Sequence, residues 1–137
     1  MTTFARHKKQ QIKVLAVDDS DFVIDLIRFA LRTMPVDVYG ITSSARALKE
    51  IEKQHFSLII SDIKMPGMDG IELLGHLRKI PSYEKTPVLM LSGYEEENHR
   101  EAAMQAGAFH YMQKPFVAQE LAEIVLAQLQ VEHRKPT

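Results

Sequence analysis

The chain has 137 residues, with 17 Lys and Arg against 18 Asp and Glu for a net charge of −1. That length suits one domain, and the balanced charge gives no reason to expect nucleic acid or an anionic membrane as a partner. Cysteine is absent, which excludes disulfides, thiolate catalysis and cysteine-ligated zinc. No run approaches the roughly 18 apolar residues of a membrane span. The basic opening is not followed by the apolar segment of a secretory signal, so the expectation is a cytoplasmic protein.

Residues 1–11 are polar and read as a disordered basic N-terminus, with one domain over 12–131 and a C-terminal tail over 132–137. Ile12–Val17 is nearly continuously apolar, the pattern of a parallel strand covered on both faces. It ends in Asp18-Asp19-Ser20-Asp21, where Asp19 or Ser20 can cap a helix. That helix carries Val23, Ile27, Ala30, Leu31 and Met34 at helical spacing until Pro35 stops it. Val36–Ile41 alternates and is rich in β-formers, a second strand. A second helix starts at 42–44, with Ala45, Leu48 and Ile51 on its apolar face. Leu58-Ile59-Ile60 runs through Ser61-Asp62 into a loop marked by Met65-Pro66-Gly67 and Asp69-Gly70, a strand closed by turn residues.

Asp69 or Gly70 opens a third helix with Ile71, Leu74 and Leu77 on one face, and 82–85 is loop. Thr86–Leu91 is a fourth strand, ended by Ser92-Gly93. A weakly apolar helix over 95–106 carries acidic residues in its first turn, which suits the helix dipole, and Gly107 ends it. Phe109–Gln113 is a fifth strand, stopped by Lys114-Pro115. A last helix from Val117 shows Leu121, Ile124, Val125 and Leu129.

Five alternating strand–helix pairs predict a parallel sheet with helices on both faces. All parallel strands end at one edge, so Asp18, Asp19, Asp62, Ser92 and Lys114 converge on one rim, where open α/β sheets bind ligands. Three carboxylates in one crevice repel each other and require a cation. Oxygen ligands without His or Cys suit Mg2+, and Lys114 adds a fixed positive charge. Asp62 is then positioned as a carboxylate nucleophile toward phosphorus, giving an acyl phosphate. Ser92 can donate its hydroxyl to a phosphoryl oxygen.

The segments VLAVDDSD, LIISDIKMPGMDGIELL, VLMLSG, AAMQAGA and YMQKPF resemble the receiver domain of two-component response regulators over nearly the whole chain. The resemblance implies a doubly wound five-stranded sheet in the order 2-1-3-4-5, the order of flavodoxin-like folds. It implies that Asp62 is the phosphoacceptor and that Asp19, Asp62 and the backbone carbonyl of Lys64 ligate Mg2+, with Asp18 acting mainly through water. Ser92 is the implied switch hydroxyl, Tyr111 the switch aromatic that turns inward on phosphorylation, and Lys114 the partner of the phosphoryl group, with a cis Lys114–Pro115 bond. The implied donor is a sensor histidine kinase or histidine phosphotransfer protein, and a separate effector protein reads the strand 4/5 and helix 4/5 face. The implied role is a switch, not a turnover enzyme.

Two residues near the mouth, Lys64 and Tyr94, stand where they can hinder the water that hydrolyses the acyl phosphate. The six histidines show no ligand spacing and read as surface or edge residues. Besides a non-phosphorylated protein-binding module, against which the intact acidic set and Lys114 argue, two alternatives compete with a stand-alone relay. One is a receiver fragment of a larger regulator with a DNA-binding or catalytic output. The other is a phosphatase of the haloacid dehalogenase type using Asp19, since Asp19–Val23 matches its D-x-D-x-[TV] opening. That type needs an acidic pair after the Lys and usually a cap. Here only Glu120 and Glu123 follow, in a helix, and no insertion is long enough for a cap.

Overall fold

The apolar runs all become strands. A computed structural model describes residues 12–93 and 99–134. In it β1 (Ile12–Val17), β2 (Val36–Ile41), β3 (Leu58–Asp62), β4 (Val88–Gly93) and β5 (His110–Lys114) form one parallel sheet in the order β2-β1-β3-β4-β5. The connecting helices are α1 (Asp21–Ala30), α2 (Ser44–Lys53), α3 (Gly70–Arg78), α4 (His99–Ala106) and α5 (Ala118–Arg134). The expectations for 1–11, for Tyr94 and the acidic turn at 95–97, and for 135–137 lie outside the described residues.

Because successive strand side chains point to opposite faces, the sheet builds two cores. Val14, Ala16, Leu58, Ile60, Leu89, Leu91 and Met112 pack with Ile27 and Leu31 near α1 and with Leu121, Val125 and Leu129 of α5. Leu15, Val17, Ile59, Val88, Met90 and Tyr111 pack on the other face with Ala47 and Ile51 of α2, Leu73, Leu74 and Leu77 of α3, and Ala103 of α4. Both faces being dry explains the absence of polar alternation in β1 and β3.

Several boundaries move. Helix α1 ends at Ala30, capped by Leu31, before Pro35 is reached. In α2 the buried stripe is Ser44, Ala47 and Ile51, and Ala45 is exposed. Ser92 and Gly93 are the last residues of β4, and Lys114 the last of β5. The expected loop after α3 contains a 3-10 turn, Pro81–Tyr83. Its Tyr83 is buried because the phenol donates to Gln54 O (2.9 Å) and accepts from Phe56 N (3.0 Å). A tyrosine whose hydroxyl is satisfied can enter a core, and that satisfaction comes from residues distant in sequence.

Candidate functional site

The site grows from the carboxyl ends of β1, β3 and β5. By strand alternation Asp18, Asp62 and Lys114 continue the rows Val14-Ala16, Leu58-Ile60 and Met112, so all three side chains emerge on the same side of the sheet. Val17 pairs with Ser61, which brings Asp18 level with Asp62. Lys114 Nζ lies 2.8 Å from Asp18 Oδ2 and 3.2 Å from Asp62 Oδ1. Asp18 is wholly buried, and Asp62 is 4% exposed. Asp18 Oδ1 also accepts from Ser20 N at 2.9 Å, while Ser20 caps α1 by accepting from Val23 N at 3.3 Å. The β1–α1 turn is thereby braced against the site.

The loop leaving Asp62 is held at several points. Gly67 sits at φ 77°, a left-handed conformation that glycine adopts without strain. Ser44 Oγ donates to Met68 O at 2.7 Å. Asp69 and Glu72 form a capping box at the start of α3, Asp69 Oδ1 accepting from Glu72 N (2.8 Å) and Glu72 Oε1 from Asp69 N (2.9 Å). Gly70 N donates to Ile63 O at 2.7 Å. A Cβ on Gly70 would collide with the carbonyl of Asp62, so this glycine lets α3 start against the strand end.

Burial, reinforced by the charge of Asp18 and partly offset by Lys114, pushes the Asp62 carboxyl up to about 6. Burial alone would lower the Lys114 ammonium, but its hydrogen bonds and charge pairing with Asp18 and Asp62 more than reverse that, and it is raised. One oxygen each of Asp18, Asp19 and Asp62 lie within 4.8 Å of one another. Asp19 is exposed, and the buried Oδ2 of Asp18 lacks a well-aligned hydrogen bond even with Lys114 beside it. An all-oxygen donor set with uncompensated acidity fits a hard divalent cation such as Mg2+. Lys64, on the outgoing loop, has an exposed side chain.

Ser92 and Tyr111 belong to the opposite row, toward α4. Ser92 Oγ is 3.0 Å from His99 Nδ1 and 3.4 Å from Gly93 O. The guanidinium carbon of Arg100 is 4.7 Å from the centroid of Tyr111. Tyr111 is buried in this structure, 3% exposed. One expectation is corrected: His99, expected to be solvated, is half-buried and stands against Ser92, whose row faces the start of α4. The parity of the β4 residues, carried one step past Leu91, is the signal that locates this contact. The Lys114–Pro115 bond is cis, as the resemblance implied.

A family model described as the response regulator receiver domain matches residues 14–126. A protein of Leptolyngbya boryana, described as an uncharacterized 14.6 kDa protein in the sodA1 3′ region, is 36% identical over 115 residues, 84% of this chain and 88% of that one. The response regulator protein FleR of Pseudomonas aeruginosa is 36% identical over 113 residues, 82% of this chain but 24% of FleR. The crystal structure of the chemotaxis response regulator CheY4 of Vibrio cholerae superposes with a TM-score of 0.78 at 31% identity, covering 88% of this chain and 99% of that one.

Proposed function

The chain belongs to the response regulator receiver domain family, and from that membership we propose that it is a phosphoryl-accepting signalling switch with Asp62 as the acceptor. The observation that carries this reading is the meeting of Asp18, Asp62 and Lys114 on one side of the sheet edge, within 3.2 Å of a shared ammonium. In the proposed step one Asp62 oxygen bonds to the phosphorus of a phosphohistidine as the N–P bond breaks, and the imidazole leaves after taking a proton. Phosphorylation converts the Asp62 carboxylate into an acyl phosphate whose negative charge lies on the phosphoryl oxygens. Lys114 is then freed toward the new phosphoryl oxygens while keeping Asp18 as its anchor. Such transfer depends mainly on position and charge. Asp18, Asp19, Asp62 and the Lys64 carbonyl would hold Mg2+, which supplies charge neutralisation for phosphoryl oxygens when bound.

The reading assigns Ser92 and Tyr111 as the switch pair and the β4/β5 and α4/α5 face as the surface an effector protein reads. The phosphodonor is a sensor histidine kinase or a histidine phosphotransfer protein. Its landing place is α1, where Phe22 (71% exposed) lines an apolar pocket with Val23, Leu26, Lys114 and Phe116 beside the acceptor. The proposed domain runs over 12–131, and its last helix continues to Arg134, into the expected tail. No described helix is long and apolar enough to cross a membrane, which supports a cytoplasmic site of action. The short match to FleR favours a second reading, in which this domain controls an output part of a longer protein. The test of the chemistry is transfer from a histidine-phosphorylated protein carrying labelled phosphate. The label should move to this chain and be released by hydroxylamine, as an acyl phosphate is. A hydroxylamine-stable label would contradict the reading.

A further inference from the structure

Resting on that reading, we infer that His99 is a positioning residue: it holds the Ser92 hydroxyl on the α4 side of the sheet, and the phosphoryl group must take that hydroxyl away from it.

The geometry begins with strand alternation. Leu89 and Leu91 face α1 and α5, and Val88, Met90 and therefore Ser92 face the other way. Ser92 is 1% exposed, so its hydroxyl needs a protein partner. The carbonyl of Gly93, at 3.4 Å, is at the long limit of a hydrogen bond, whereas His99 Nδ1 at 3.0 Å is a full one. The imidazole proton is assigned to Nε2, the tautomer in which Nδ1 accepts and the serine donates. A serine has one proton to give. It cannot donate to His99 and to a phosphoryl oxygen at the same time.

The next residue along repeats the pattern. Arg100 stacks its guanidinium over Tyr111, a contact favourable by charge and ring quadrupole. Two consecutive residues in the first turn of α4 thus touch the end of β4 and the ring of β5. Ala103 is the buried residue of α4, so little apolar area anchors this helix. Polar contacts at its first turn therefore weigh heavily in where it sits. Withdrawal of Ser92 from His99 removes one of them, which links events at Asp62 to the position of α4 without any contact between the two.

The test is the apparent affinity for beryllium fluoride, a phosphoryl mimic, in the presence of Mg2+, followed by amide NMR. His99→Ala should bind the mimic about fivefold more tightly than wild type, the worth of one hydrogen bond that no longer has to be broken. His99→Asn, whose side-chain carbonyl can accept the same proton, should stay near wild type. In a Ser92→Ala background, His99→Ala should change nothing, a result that a general loosening of the fold would not give. The Nδ1 resonance of His99 should lose its hydrogen-bonded shift when the mimic binds, and should lack it in metal-free Ser92→Ala. Equal or weaker binding by His99→Ala, or the same gain with Ser92 absent, overturns the inference while leaving the acceptor role of Asp62 standing. Failure of wild type itself to bind the mimic overturns both.

Discussion

At the scale of single residues, Asp62 is kept in a state it would leave if it could. Burial and the neighbouring Asp18 raise its pKa from 3.8 to about 6. A raised folded-state pKa gives stability that is complete below the unfolded value and is lost as pH rises through the folded one. Between those values the unfolded chain ionises while folded Asp62 holds its proton, so stability falls as the pH rises. Metal-free Asp62→Asn should therefore be more stable than wild type near neutral pH by about 1–3 kcal/mol. The gain should shrink as the pH falls through about 6 and be gone below 3.8. Urea melts at both extremes check this, and a gain independent of pH would contradict it. Gly70 acts through its missing side chain. Gly70→Ala must displace either α3 or the Asp62 carbonyl, with an expected loss of about 1–3 kcal/mol. Acceptor reactivity should fall beyond what unfolding explains, measured on the folded fraction. The acids and the lysine were legible in the sequence because parallel strands end at one edge. Gly70 was not, since close approach of two backbones leaves no mark in a periodic pattern. His99 became readable only with the parity of β4.

Among the elements, α4 is the one held by its ends. Gly107, at φ 107°, closes it: Ala108 N donates to Ala103 O (3.0 Å) and Gly107 N to Met104 O (3.1 Å), the paired bonds of a Schellman cap. Arg78, at the end of α3, donates to Gly107 O and to Tyr83 O, both at 2.8 Å. Arg78→Ala should raise hydrogen exchange across α4 by roughly one order of magnitude while β1 and β3 stay protected. A uniform change across the chain would contradict a local anchor. The existence of each strand follows from the sequence pattern, because an apolar run between turn residues has few other uses in a doubly wound sheet, though β4 and β5 shift from 86–91 and 109–113 to Val88–Gly93 and His110–Lys114. Helix limits are less legible. Helix α1 stops at Ala30 with a proline still some residues ahead, and the buried face of α2 is displaced from Ala45 to Ala47. Weakly apolar helices take their rotation from the sheet they land on.

For the whole molecule, the two sheet faces divide the labour. The α1/α5 side carries Asp18, Asp62 and Lys114, together with the exposed Phe22 and Phe29 of α1. The opposite side carries Ser92, Tyr111 and the lightly anchored α4. In the proposed reading, input and output thus use separate surfaces joined at one rim. Phe22→Ala should slow transfer from a histidine-phosphorylated protein about tenfold, as loss of a central apolar contact does, with the rate from acetyl phosphate unchanged. Equal slowing from both donors would place the defect in the site, not the docking surface. This division was only partly visible in the sequence, which places residues at an edge but does not by itself say which face of the sheet each one serves. The most direct measurement is intact mass after incubation with acetyl phosphate and Mg2+. Wild type should gain one phosphoryl group and Asp62→Asn none. No gain in wild type, or an equal gain in both, would contradict the assignment of Asp62 as the acceptor.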